Sequence, residues 1–244
     1  MKTGLKVAIG ATLVLVIAVG SELAWLHRRN VEDQAPIKKV EYKSDPDDLV
    51  FLKHEHPMAL KDEKDLKGKT LWMSAAGQMD FYPYNGHSVD YAHSQGVLLG
   101  AQKIVVDDAV EQAAPKSAAF RIPQGDRHVL LVFTRPEDPA GKKYAVAVGY
   151  KQGGDYTFFT DDMFFYDDPH QLFNYWGPAV WKAIDEHRAE PGMTEREVQL
   201  ALGQVSTPHG DNTGNRNVEF DDQGHPKMVT FEGGKSTRVV DIKQ

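Results

Sequence analysis

The sequence predicts an α+β protein with an N-terminal membrane helix, an antiparallel β-rich barrel or sandwich domain, and a C-terminal layer of two helices on three antiparallel strands. Three observations predict this organisation. A long apolar run opens the chain, and short runs rich in Val, Ile, Tyr and Phe follow one another through residues 68–168. Residues 169–244 then carry helix-start signals followed by strand patterns.

The opening apolar run extends from Val7 to Leu26 and is interrupted only by Thr12, Ser21 and Glu22. About 20 residues in a helix match the thickness of a bilayer, which favours an uncleaved membrane anchor over residues 1–26. The alternative is a cleaved signal peptide, because Val7 to Gly20 has the length of a signal-peptide core and ends in small residues. Both interpretations place the rest of the chain outside the cytoplasm. We expect a single-pass membrane protein with its bulk in the periplasm, or a secreted protein after cleavage.

Composition disfavours or excludes several classes of function. The formal net charge is -7, so nucleic acid is not an expected partner. The chain contains no cysteine, which excludes disulfides, thiol nucleophiles and thiolate zinc sites even in an oxidising compartment. The fold must therefore be stabilised by ordinary packing.

Residues 27–67 are rich in charge and contain several prolines, which predicts a solvated tether. Its apolar cluster, Leu49 to Leu52, is expected to dock on the following domain. The sequence His54-Glu55-His56 would place two imidazoles on one face of a strand, which is half of a metal site. No third ligand is evident nearby, so we favour solvated polar residues.

Residues 68–168 are predicted to form short antiparallel strands separated by Gly, Pro and Asp clusters. Gly153-Gly154 lies between two apolar runs and predicts a hairpin turn. Val129 to Phe133 is apolar at every position, as expected for a central strand covered on both faces. The predicted strands are Leu71 to Met73, Val97 to Leu99, Ile104 to Val106, Val129 to Phe133, Tyr144 to Val148 and Tyr156 to Phe159.

Two patterns in this region resemble catalytic or metal-binding motifs without completing them. GHSVD, from Gly86 to Asp90, approaches a serine-hydrolase nucleophile elbow, but aspartate replaces the second glycine. DDMFFYDDPH offers four aspartates and a histidine within ten residues. Asp168 is better explained as a helix N-cap before Pro169, and the spacing of a calcium loop is missing. No catalytic, cofactor or metal residue is therefore assigned.

The stretch PGMTEREVQLALG predicts a capped amphipathic helix. Thr194 and Glu197 have the spacing of a capping box, so the helix should begin at Glu195. Val198, Ala201 and Leu202 form one apolar stripe, and the glycine that follows is a typical stop. Three strands come next, and the last two are joined by a Gly233-Gly234 turn that sets Glu232 opposite Lys235.

This order of elements, with GMTEREVQLALG followed by VEFDDQGHPKMVTFEGGK, resembles the SmpA/OmlA-type outer-membrane assembly lipoprotein family and the related β-lactamase-inhibitor-protein-like fold. The matching residues are Gly192 to Thr194, Val198, Leu202-Gly203 and the closing Gly-Lys turn. The chain departs from the family in having no lipobox cysteine and only a short first strand, Asn217 to Phe220. The resemblance covers the C-terminal part alone. It implies two helices on three antiparallel strands in a module that contacts other proteins.

Three classes of function follow from these observations. We favour a non-catalytic, membrane-anchored cell-envelope protein that acts through protein–protein interaction with an envelope partner. The alternatives are a small-ligand or metal-binding extracytoplasmic β-domain, and an enzyme with a non-contiguous site among Asp80, His87, Asp90 and His93. A pocket of several hundred cubic ångströms with convergent polar groups would favour ligand binding or catalysis.

The segment Val205 to Asn215 is rich in Gly, Pro, Asn and Thr and is predicted to be a long polar loop at the domain edge. Such a loop can present contacts to a partner protein, although an idle solvated loop is the alternative. The residues assigned to partner contact are His209, Asp211, Asn212, Asn215 and Arg216.

Overall fold

The computed structural model describes residues 19–25, 46–74, 79–116, 127–139, 141–210 and 212–242. The chain divides into two units, Met1–Asp45 and Pro46–Gln244. In the first unit, residues 19–25 are helical. Most of the predicted anchor lies outside the described residues. Within the described ranges, no helix has both the length and the apolar character needed to cross a bilayer.

The larger unit contains two antiparallel sheets. Its first part comprises α1 (Leu60–Lys64), β1 (Thr70–Met73), β2 (Phe81–Pro83), β3 (Lys103–Ala113), β4 (Arg127–Thr134), β5 (Tyr144–Gln152), β6 (Asp155–Phe158), α2 (Thr160–Met163) and β7 (Phe164–Phe165). Its second part comprises α3 (Pro169–Leu172), α4 (Pro178–Asp185), α5 (Glu195–Leu202), β8 (Val205–His209), β9 (Asn217–Phe220), β10 (Lys227–Glu232) and β11 (Lys235–Asp241). Short 3-10 helices occur at Pro46–Leu49, Asn174–Trp176 and Asp222–Gly224. The α+β class is confirmed.

Seven of the described strands form the first sheet, in the order β2-β5-β4-β3-β1-β7, with β6 also beside β5. β2 pairs with residues 144–146 of β5 and β6 pairs with residues 149–152, so both share one edge of that strand. All pairs are antiparallel, as predicted. Pairing among the described strands does not join β2 to β7, so the order is that of an open sheet.

The central position of β4 is confirmed. Val129, Leu131 and Phe133 lie in one apolar cluster, whereas Leu130 and Val132 lie in a second cluster. Alternate residues of a strand point to opposite faces, so both faces of β4 are covered. The Gly153-Gly154 turn is also confirmed. It pairs Gln152 with Asp155, and both glycines have positive φ angles of 58° and 109°.

Two of the strand predictions need correction. Val97 forms only an isolated bridge with Asp80, so Val97 to Leu99 is not a strand. β3 extends well beyond the predicted Ile104 to Val106, through the acidic pair Asp107-Asp108. Aspartate has a low strand propensity. Here the β4 ladder continues past both residues, with a register shift between Val106 and Asp108.

The C-terminal part is a layer of helices on a sheet, as predicted, but the sheet has four described strands in the order β11-β10-β9-β8. The additional strand is β8, so the prediction of a loop from Val205 to Asn215 is wrong for its first five residues. β8 is an edge strand, exposed after Val205, and it contains Pro208. A polar edge strand with a proline lacks the apolar alternation by which strands are recognised.

The prediction for α5 is confirmed. Thr194 Oγ1 accepts from the Glu197 N–H at 3.2 Å, and the Glu197 carboxylate accepts from the Thr194 N–H at 2.6 Å. Val198, Ala201 and Leu202 are buried in one cluster with residues of β9 and β10. The hairpin that sets Glu232 opposite Lys235 is also present.

Replacing Leu202 by Ala is expected to lower the free energy of unfolding by about 2 to 5 kcal/mol, because the side chain is 3% exposed in this cluster. Replacing Thr194 by Ala should cost only about 1 kcal/mol, since it removes one cap. Chemical denaturation of both variants measures the two effects. A Leu202→Ala protein as stable as the wild type would contradict the packing of α5 on the sheet.

Residues 46–67, which the sequence assigns to the tether, belong to the larger unit. Val50 and Leu52 pack against the cluster shared by α4, α5 and the C-terminal sheet, so these two residues of the apolar segment dock as expected, whereas Leu49 and Phe51 do not. Glu63 and Leu66 are buried further along. We call residues 49–56 the strap.

Candidate functional site

The predicted partner-contact segment, Val205 to Asn215, begins with β8, which belongs to the C-terminal sheet. His209 is the last residue of β8, pairs with Asn217 of β9 and is exposed. Asn212 is exposed in the turn that follows, and Asp211 lies outside the described residues. The proposed contact role of these side chains stays a prediction.

The other two residues of that prediction have structural roles. The Asn215 Oδ1 accepts from the Gly233 N–H at 2.8 Å, which ties this turn to the β10–β11 hairpin. The Arg216 guanidinium pairs with the Glu195 carboxylate at the start of α5. Both contacts stabilise the layer whether or not a partner is bound.

The polar residues considered for a non-contiguous enzyme site line neither of the two cavities described below. Asp90 and His93 form an exposed pair at 2.8 Å. His87 is exposed, and its N–H donates to the Asn85 side chain within a turn. Asp80 bridges to Val97 through its backbone. None of them lines the cleft described next.

A cleft of about 400 Å³ lies where the seven-stranded sheet meets the C-terminal layer, and we call it the junction cleft. One side comes from residues 52–54 of the strap. A second side comes from residues between 161 and 167, around α2 and β7, and a third from one face of α5. Leu172 and Trp176 complete the lining.

Arg196, Gln199 and Leu200 supply the α5 side of the junction cleft. They stand at positions i, i+3 and i+4, which share one face of a helix. The Arg196 guanidinium carbon lies 4.9 Å from the centre of the Phe173 ring. It forms no ion pair with any described residue, whereas neighbouring Glu195 is paired with Arg216. In the sequence, Arg196 and Gln199 only stand outside the apolar stripe formed by Val198, Ala201 and Leu202.

The aromatic side of the junction cleft is held by a continuous stack. Phe173 lies 4.5 Å from Trp176, Trp176 lies 5.3 Å from Trp181, and the His170 ring lies 4.1 Å from Trp181, all measured between ring centres. The Trp176 indole N–H donates to Asp47 at 2.8 Å. Since each ring is fixed by its neighbour, the cleft offers a rigid aromatic surface.

Asp161 fastens the strap beside the cleft. Its two carboxylate oxygens accept from the Glu55 and His56 N–H groups at 3.0 and 2.9 Å, and the Tyr166 hydroxyl donates to it at 2.8 Å. Partial burial alone would raise the pKa of Asp161, but these hydrogen bonds hold it below its usual value. Asp161 is therefore an anion committed to the strap. Asp168, which belongs to the same acidic DDMFFYDDPH stretch, caps the N-terminus of α3, as expected.

A second, smaller cavity of about 170 Å³ adjoins Tyr166 and contains Glu63. Glu63 is fully buried, and the Thr160 hydroxyl donates to its Oε1. Its Oε2 has no hydrogen-bond partner among the described residues. Burial raises the pKa of Glu63 to about 7, and the nearby carboxylates of Asp161 and Asp62 add to the effect. The sequence LKDEK around it has the pattern of a solvated helix and gives no sign of this burial.

The junction cleft contains binding groups and no recognisable nucleophile with its base. Ser74 lines it, but the Ser74 hydroxyl donates to the backbone carbonyl of Asp162 at 2.6 Å. Among the residues that the structure describes, no cluster of three or more His, Asp or Glu suits a metal ion. His54 and His56 lie with ring centres 5.7 Å apart, and only His54 lines the cleft. The arrangement is suited to holding a ligand.

Comparisons with known proteins do not assign the chain to a group: no family model, no curated protein and no solved structure matches it. The resemblance of the C-terminal part to the SmpA/OmlA-type family therefore stays a prediction. Arguments about function rest on the site itself.

Proposed function

We propose that this protein is a non-catalytic, membrane-anchored envelope protein that binds a peptide-like segment in the junction cleft. The observation that carries the proposal is Arg196, a cation without a described ion-pair partner in a cleft of about 400 Å³. The cleft volume and its convergent polar groups favour a bound ligand over contact through the polar turn near Asn212.

The chemistry of the cleft matches the parts of a peptide. A guanidinium offers a planar pair of donors that suits a carboxylate. Asp162 and Asp167 are exposed on another side of the cleft and can accept from an ammonium or from amide N–H groups. Trp176 and Phe165 supply apolar surface for a side chain. A partner protein's C-terminal segment and a free peptide share this chemistry.

Replacing Arg196 by Gln should remove the preference for a free carboxylate. The full chain in lipid nanodiscs is titrated calorimetrically with tripeptides ending in Phe, each as the free acid and as the C-terminal amide. We expect the wild type to bind the free acids about tenfold or more tightly than the amides, since a hydrogen bond to a charged group contributes ~1.5–3 kcal/mol. The Arg196→Gln protein should bind both forms equally weakly.

Arg238→Gln is the matched control, because Arg238 is exposed on β11 and does not line the cleft. It should bind as the wild type does. Equal binding of acid and amide by the wild type would exclude the assigned role of Arg196. No binding of any tripeptide at millimolar concentration would exclude a free peptide, and crosslinking at position 199 in intact cells would then have to capture a partner's C-terminal segment for the proposal to stand.

A further inference from the structure

The strap holds two apolar side chains in water while it packs two others. Val50 and Leu52 contact the cluster beneath the C-terminal helices. Leu49 and Phe51, which alternate with them, are 64% and 94% exposed. Within Pro46–Gln244, Phe51 is the most exposed large apolar side chain that the structure describes.

The chain around Phe51 is fixed at both ends, so its exposure is a property of the fold. Before it, Asp47 accepts from the Tyr175 hydroxyl at 2.6 Å and from the Trp176 indole at 2.8 Å. After it, the Glu55 and His56 N–H groups donate to Asp161. Removing this rigid apolar projection from water would be favourable, since no further ordering of the strap is needed to cover it.

The N-terminal sequence indicates which surface could cover Leu49 and Phe51. The apolar run Val7 to Leu26 has the length needed to span a bilayer, and only residues 27–45 separate it from the larger unit. Fully extended, that connection reaches about 65 Å at most, so the larger unit cannot leave the neighbourhood of the membrane that holds the run. An aromatic side chain held in this neighbourhood suits the boundary between headgroups and acyl chains.

We infer that Leu49 and Phe51 insert into the interfacial layer of the membrane that anchors the chain. The inference rests on the membrane anchoring included in the proposed function and adds a second contact with lipid. Residues 27–45 carry five basic and four acidic side chains, so their net charge is small. The contact therefore depends on apolar insertion and is insensitive to salt. It would turn the strap side of the junction cleft towards the lipid surface.

The absence of native cysteine allows single labels at chosen positions. The full chain is reconstituted into phosphatidylcholine vesicles with an environment-sensitive fluorophore on Phe51→Cys, Ser206→Cys or Ala24→Cys. Ser206 is exposed on β8, and Ala24 lies in the predicted anchor. Nitroxides attached to the lipid acyl chains then quench any label that enters the bilayer.

We expect strong quenching at positions 24 and 51, at least fivefold more than at position 206, and unchanged at 0.5 M salt. Equal quenching at 51 and 206 with strong quenching at 24 would overturn the inference while leaving the anchor intact. No quenching at 24 would remove the anchor and the inference together, whereas peptide binding in the cleft would still be measurable. A label at 51 that is shielded from water without being quenched would indicate a second protein copy, which also contradicts the inference.

Discussion

Replacing Gly100 by Ala is expected to destabilise the protein by about 3 kcal/mol or more. Gly100 lies in the turn before β3, and a Cβ added there would come within 1.8 Å of the Leu200 carbonyl oxygen and 2.8 Å of its carbonyl carbon. These are backbone atoms of α5, so no side-chain rotation can relieve the clash. The turn and the helix must separate, which would also displace the α5 side of the junction cleft.

Gly141→Ala is the matched control for this prediction. Gly141 has a φ of 87° and nothing within 4 Å of its added Cβ, so its replacement costs only backbone strain, about 1–2 kcal/mol. Denaturant midpoints of the two variants measure the difference. If Gly100→Ala and Gly141→Ala have the same denaturant midpoint, the close approach of the turn to α5 is not required for stability.

The parts of the fold that the sequence predicts well are those determined by local chemistry. The Thr194 capping box and the two Gly-Gly turns depend on residues only a few positions apart, and each is present as expected. β4 was recognisable because both of its faces are apolar. β8 was missed because an exposed edge strand needs no apolar face, and its pairing with β9 is not visible in its own residues.

The junction cleft could not be predicted, because its sides come from segments far apart in the chain. Residues 52–54, 161–167 and 196–200 meet only after the two sheets pack together. The one available sign was the pair Arg196 and Gln199, polar residues that share a helix face with buried Leu200. A polar pair beside a buried leucine is also common on solvated helices, so that sign does not distinguish a binding face.

Glu63 is the second residue with a large expected effect, and it makes stability depend on pH. Its carboxyl is fully buried, one oxygen accepts from Thr160, and the other has no partner among the described residues. Burial, more than the nearby aspartates, raises its pKa from 4.5 to about 7. An acid with a raised pKa binds its proton more tightly in the folded state. The stability that the folded protein gains from holding this proton is therefore fully present below pH 4.5, and it is lost as the pH rises to about 7.

Replacing Glu63 by Gln should remove this pH dependence, because the amide is neutral at every pH and can still accept from Thr160. The pKa difference corresponds to about 3 kcal/mol, so Glu63→Gln should be more stable than the wild type by up to that amount at pH 8 and similar to it at pH 4.5. Urea unfolding of both proteins across this range measures the effect. Other carboxylates titrate in both proteins, so the difference between the curves isolates Glu63.

Glu232→Gln, at an exposed position, is the control and should follow the wild-type curve. A constant difference between Glu63→Gln and wild type from pH 4.5 to 8 would show that Glu63 has the same pKa in the folded and unfolded states, which contradicts the raised pKa attributed to its burial.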